Sequence, residues 1–160
     1  MNELFENEYL MDKKLLKEYV YNVLCKKTII ISLITALSGI LFFWFVSNRD
    51  AYIVLTVAII ASISAILLPI IAVKELEETG KRLNNGNIEK TNIKFSNNIV
   101  MNEGKAHLEF EYTQITKIIQ TKNFIVLKTS ENTAILVLKK GFLKGNEKDF
   151  IKFVEEKTNK

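Results

Sequence analysis

Apolar residues dominate one long stretch of this chain and alternate with polar ones in another. From residue 28 to 46, "TIIISLITALSGILFFWFV" runs for 19 residues without a charge, and from 51 to 73, "AYIVLTVAIIASISAILLPIIAV" runs for 23. As helices they would be roughly 28 and 34 Å long, against a hydrocarbon layer of about 30 Å. Both are apolar on every face, and a soluble fold would need enough partner surface to cover them. The rest of the chain is too small and too charged to supply it. The pattern therefore predicts a transmembrane hairpin, 28–46 and 51–73, with a tight turn at residues 47–50. Phe42, Phe43, Trp44, Phe45 and Tyr52 gather beside that turn, as rings do near a headgroup layer.

Residues 1–27 read as a short strand, Leu4 to Leu10, and an amphipathic helix from about Asp12 to Lys27. Asp12 is its N-cap, and Leu15, Leu16, Tyr19, Val20, Val23 and Leu24 recur at helical spacing. This helix is expected to enter the first span without a break. Within the spans, Ser32 with Ala36, Thr35 with Gly39, Ala58 with Ser62 and Ala61 with Ala65 are small-xxx-small pairs. They let helix backbones approach closely. Packing of the hairpin on itself accounts for them; a homo-oligomer seam is a further use they permit. Pro69 predicts a kink. Residues 74–87 form a projecting helix to about Leu83, stopped by "NNGN".

From residue 88 to 160 the rhythm changes to alternation. Ile93 and Phe95, then Ile99 and Met101, then Leu108, Phe110 and Tyr112 mark strands, followed by "KIIQT", "FIVLKT" and "TAILVL". That makes about six short antiparallel strands. Asn146 caps a last helix with Asp149 at its third position and Phe150, Ile151, Phe153 and Val154 on its apolar face. The fold class predicted is α+β: a two-helix transmembrane hairpin plus a small antiparallel sheet closed by a C-terminal helix. The N-terminal strand is expected to pair with an edge of that sheet, covering unpaired backbone.

Charge then orients the hairpin. Lys13, Lys14, Lys17, Lys26 and Lys27 precede the first span and Lys74, Lys81, Arg82 and Lys90 follow the second, while the turn carries only Arg49. The positive-inside bias predicts a multi-pass protein of the cell membrane with both termini cytoplasmic. The net charge of +4 suits an anionic leaflet. Its cations are scattered among glutamates instead of forming a stripe, which argues against a nucleic-acid partner. The lipid bilayer is the first partner expected.

Candidate chemistry is sparse. With one His and one Cys, the chain has no His-based triad, Cys-His zinc site or paired-histidine motif. His107 falls on the polar parity of its strand. Cys25 beside Lys26 could be acylated, but a buried thiol is the simpler reading. Gly104, Gly141 and Gly145 read as turns, with no phosphate loop among them, and neither span contains an ionisable residue for a proton or ion path. No catalytic residue, cofactor or metal is predicted. The strongest cationic patch is "KKGFLKG", residues 139–145. Lys139, Lys140, Phe142 and Lys144 are the candidate contacts for anionic lipid or an acidic partner, with Phe142 tucked under the last helix as the plainer alternative.

The stretch from Phe110 to Lys157 resembles the YcxB-like family of small bacterial membrane proteins, and the resemblance extends over nearly the whole chain, including the N-terminal strand and the two-span hairpin. The positions that carry the resemblance are Tyr112, Ile115 and Ile118, the hydrophobic hairpin Phe124 to Leu138, and Lys139 to Phe142. The resemblance implies a bacterial membrane-anchored pleckstrin-homology-like domain without a catalytic signature. Lipid-binding pleckstrin-homology domains place cations in the loop joining their first two strands, whereas residues 96–98 here are "SNN", which argues against specific phosphoinositide binding. The implied function is a non-enzymatic, membrane-anchored interaction module that presents its domain to a protein or peptide partner. The alternative is an immunity or resistance protein against a membrane-active peptide, as among related membrane-anchored proteins.

Overall fold

The structure, a computed structural model, describes residues 4–45, 49–83, 86–87, 89–130 and 133–158. It divides into two compact units, one of residues 1–16 with 78–160 and the other of residues 17–77.

Helix α1, Lys13–Tyr19, begins where expected, since the Leu15 N–H donates to Asp12 Oδ1 at 2.7 Å. The helix predicted to run unbroken into the first span instead passes through a π turn, Val20–Leu24. Its closing bond, Cys25 N–H to the Val20 carbonyl at 2.7 Å, spans five residues. One extra residue in the turn shifts the phase of the side chains that follow, so the apolar stripe of α1 does not carry straight into α2. Helix α2 is Lys26–Phe45 and α3 is Arg49–Leu83. Arg49 and Asp50, which the sequence pattern assigns to the turn, belong to the first turn of α3. Ser47 and Asn48 lie outside the described residues. Helix α3 continues through Pro69.

The hairpin packs through small residues. Ser32, Ala36 and Gly39 of α2 are buried, as are Ala58 and Ala65 of α3. Ser32 Oγ lies 3.4 Å from Ser64 Oγ, a Cβ on Gly39 would stand 2.6 Å from that of Ala58, and the rings of Phe43 and Tyr52 meet at 5.7 Å. As the residue number rises along α2 it falls along α3, the signature of an antiparallel pair. The self-packing role of Ser32, Ala36 and Gly39 is thus realised. Each helix is long and apolar enough to cross a membrane, yet only 11% of either apolar window is buried. Ile34, Leu37 and Ile60 are more than half exposed.

The other unit holds two antiparallel sheets where the sequence suggests one. Strands β1 (Phe5–Leu10), β2 (Lys90–Phe95), β3 (Ile99–Glu103), β4 (Ala106–Phe110) and β8 (Phe142–Lys144) form the order β4-β3-β2-β1-β8. Strands β5 (Lys117–Gln120), β6 (Phe124–Lys128) and β7 (Ala134–Leu138) form the second sheet in chain order. Between the two, the alternating pattern that linked Leu108, Phe110 and Tyr112 breaks. Residues Tyr112–Gln114 make a 3-10 turn closed by a capping box between Glu111 and Gln114, and Leu108 is 44% exposed on the terminal strand β4.

Strand β1 joins the sheet as expected, but inside it. Glu6 pairs with Lys94, Asn7 with Ile93 and Glu8 with Asn92 across β2, and Glu6 and Asn7 pair with Lys144 and Phe142 across β8. The core consists of fully buried Ile93, Phe95, Ile99, Phe124, Ile125, Val126, Leu127, Ile135 and Val137, with Phe150 and Val154 of α4, Glu147–Thr158. Asn146 caps α4, accepting the Asp149 N–H at 3.0 Å. The Phe150 ring meets Phe95 at 4.6 Å, Phe142 at 5.3 Å and Phe5 at 5.4 Å.

Candidate functional site

The segment 139–145, which the sequence pattern presents as a loop, contains the short strand β8. A tight turn leads into it: the Gly141 N–H donates to the Leu138 carbonyl at 2.9 Å, and the Lys139 N–H to that of Asn123 at 2.8 Å. Gly141 is required here, because a Cβ would stand 2.6 Å from the Glu8 carbonyl oxygen. Gly145 ends the strand with φ of 84°, where a Cβ would overlap the Phe5 ring.

The four candidate contacts therefore separate. Lys139 is held by Glu147, with Nζ 2.8 Å from Oε1. Phe142 turns its half-buried ring to Phe150. Lys140 and Lys144 are exposed, as is Leu143 at 64%. Leu143 and Lys144 are thus exposed on a strand at the end of its sheet, and Lys140 in the turn before it. Chemically, this edge, with Leu143 exposed, suits an added strand.

A second constellation, absent from the sequence reading, centres on Asn7. Its side chain is fully buried, Nδ2 donating to the Leu138 carbonyl at 2.8 Å and Oδ1 accepting the Leu138 N–H at 3.1 Å. An amide side chain thus copies a backbone pairing and fastens β1 to the end of β7, in the other sheet. Around it, Tyr9 reaches Phe124 with ring centroids 6.1 Å apart, and Phe5 reaches Phe153 at 5.2 Å. A sequence signal for this does exist: Phe5, Asn7 and Tyr9 share one strand face, and a polar residue between two aromatics on a buried face needs a partner.

On the opposite face, charge sets the register. Glu8 Oε1 lies 2.8 Å from Lys90 Nζ, and the hydrogen bond and charge of Glu8 raise the Lys90 pKa. The Asn92 amide donates to Glu6 at 2.9 Å. Tyr112 donates its hydroxyl to the Ser96 carbonyl at 3.1 Å and packs on Phe153 at 5.5 Å, and burial pushes its phenol well above the usual value. Tyr112 and Ile115, two of the positions that carry the resemblance, are buried. His107 is exposed with Nδ1 2.6 Å from Asn102 Oδ1. Among the described residues no cluster of His, Cys, Asp and Glu could hold a metal ion.

No curated protein matches the chain, and no solved structure does. Residues 95–154, from the end of β2 into α4, match the family model described as YcxB-like protein, so the family that the sequence resembles is the one whose model this segment fits.

Proposed function

We propose that this protein is a non-enzymatic, membrane-anchored interaction module. Helices α2 and α3 cross the cell membrane, and the sheets with α4 form a cytoplasmic pleckstrin-homology-like domain that receives a protein or peptide partner. The observation that carries the reading is the pairing of β1, which precedes the first apolar helix, with β2, which follows the second. A strand pair cannot be divided by a bilayer, so two spans between paired strands must return the chain to the face it left. The lysines on both flanks support the cytoplasmic side as that face. The exposed apolar surface of α2 and α3 supports insertion, because water would have to cover it otherwise. Two antiparallel sheets followed by a helix, whose Phe150 meets rings of β1 and β2, support the pleckstrin-homology-like comparison.

The terminal strands β4 and β8, with Leu108 and Leu143 exposed, are the edges at which a partner strand would add. A photo-crosslinking residue at Leu143 or Leu108 of the full chain in living cells should give a discrete protein adduct that one at Leu37, within the apolar span, does not. Adducts with lipid alone at both edge positions would refute the partner. For topology, a thiol introduced by Ser47→Cys in a Cys25→Ser background should react with an impermeant reagent outside intact cells, and one introduced by Lys140→Cys should not. Reversed labelling would refute the cytoplasmic placement.

A further inference from the structure

The place of β1 in its sheet is that of a ligand. Both its neighbours are distant in the chain: β2 begins 80 residues after β1 ends, at Lys90 against Leu10, and β8 lies beyond that. The receiving residues are shaped around it. Gly141 leaves room for the Glu8 carbonyl and Gly145 for the Phe5 ring, and the Leu138 peptide offers one donor and one acceptor that the Asn7 amide matches in both directions. No apolar side chain could make that pairing, and a shorter one could not reach it. Two flanking aromatics complete the recognition, Phe5 against Phe150 and Tyr9 against Phe124. On the outer face Glu6 and Glu8 meet Asn92 and Lys90. Met11 and Asp12, which link the strand to α1, belong to neither strand nor helix.

We propose that the berth between β2 and β8 is a peptide-binding site selective for an extended segment of the pattern aromatic-x-Asn-x-Tyr, and that a second copy of this chain can supply the strand in place of the resident one. Swapped and unswapped strands make the same contacts, so exchange requires that the resident strand be released and that the second copy come within reach of its short linker; confinement to one membrane, which rests on the function proposed above, raises their effective concentration. This site is distinct from the exposed edges β4 and β8 and does not rest on their having a partner.

The test uses the full chain in lipid nanodiscs with a protease recognition sequence inserted between Met11 and Asp12, cut after folding. The severed strand should stay bound through gel filtration and be replaced by an excess of labelled peptide with the sequence of residues 4–11. The same peptide carrying Asn7→Ala should bind roughly tenfold to a hundredfold more weakly, as expected when the Leu138 N–H loses its acceptor and the Leu138 carbonyl keeps the Gly141 N–H but loses the Asn7 amide. A tagged, uncut full-length copy should then be captured by the cut protein, and a copy carrying Asn7→Ala should be captured less. Failure of the labelled peptide to bind, or equal binding by its Asn7→Ala form, would overturn the site. Peptide binding without capture of the full-length copy would overturn the second copy as source.

Discussion

The helical hairpin and the sheet unit solve the same problem of close packing by opposite means. Where α2 meets α3, Ser32, Ala36, Gly39 and Ala58 are buried, and large side chains such as Ile34, Leu37 and Ile60 turn outward. In the sheets, the buried positions are Phe95, Phe124, Phe150 and a group of Ile, Leu and Val. The difference fits the surroundings proposed above for each unit. Beside lipid, burying a Leu against another helix gains little, so close backbone approach and dispersion hold the pair. Beside water, large apolar side chains gain most by being covered. Polar groups diverge likewise: the hairpin's Ser32 and Ser64 hydroxyls face each other, whereas the sheets use a buried amide, Asn7, to join two layers.

The largest expected effect is therefore loss of a large side chain from the sheet unit. Phe150→Ala would remove a ring that meets three others and should cost about 3–5 kcal/mol. Hydrogen exchange of the full chain in nanodiscs should show faster opening across β1, β2 and α4 with the amides of α2 unchanged. Loss of protection in both units together would erase the contrast. Asn7→Ala should cost about 1–3 kcal/mol, because the Leu138 N–H loses Asn7 Oδ1 and the Leu138 carbonyl keeps only the Gly141 N–H of the two donors described for it. Urea unfolding followed by a probe in the sheet unit measures it. A neutral result would reduce the clasp to a passenger.

How much of this is legible in sequence tracks the range of the forces involved. The hairpin is written locally: two charge-free runs and their small residues are enough to predict α2, α3 and the self-packing of Ser32, Ala36 and Gly39. Caps are local too, and Asp12 and Asn146 act where read. The two-sheet arrangement is not local. The 3-10 turn at Tyr112–Gln114 divides a pattern that alternation alone would extend, and β8 is three residues long with lysines around it, which reads as a loop until β1 lies beside it. The separation of Lys139 from Lys140 and Lys144 depends on Glu147, eight positions on. The N-terminal strand follows from the need to cover an edge, but its interior position depends on β8, which the alternating pattern does not reveal.

The hairpin's own test is Gly39→Val. The first added carbon would already lie 2.6 Å from Ala58 Cβ, so the helices must part or bend, at a cost of about 1–3 kcal/mol. Disulfide formation between Ser32→Cys and Ser64→Cys in a Cys25→Ser background reports their approach and should slow severalfold. Gly80→Ala, on α3 and with no atom near its Cβ position, should leave that rate unchanged. Equal slowing by both would mean that helix propensity, not close approach, governs the pair.

The smallest expected effect concerns pH. Burial raises the Tyr112 phenol above its ordinary value of 10.0, so the folded state keeps its proton where the unfolded state has lost it. Below pH 10 both states are protonated and the full stability is present. As pH rises past the unfolded value the unfolded chain alone releases the proton, and stability falls until the folded phenol titrates in turn. Tyr112→Phe removes this titration together with the hydrogen bond to the Ser96 carbonyl. It should cost about 1 kcal/mol at neutral pH and flatten the alkaline fall in stability of the sheet unit. The helical pair is the internal control, because Tyr112 lies outside its unit: the substitution should leave disulfide formation between Ser32→Cys and Ser64→Cys unaltered at every pH. An alkaline fall as steep in the Phe variant as in the parent would assign that dependence to another group.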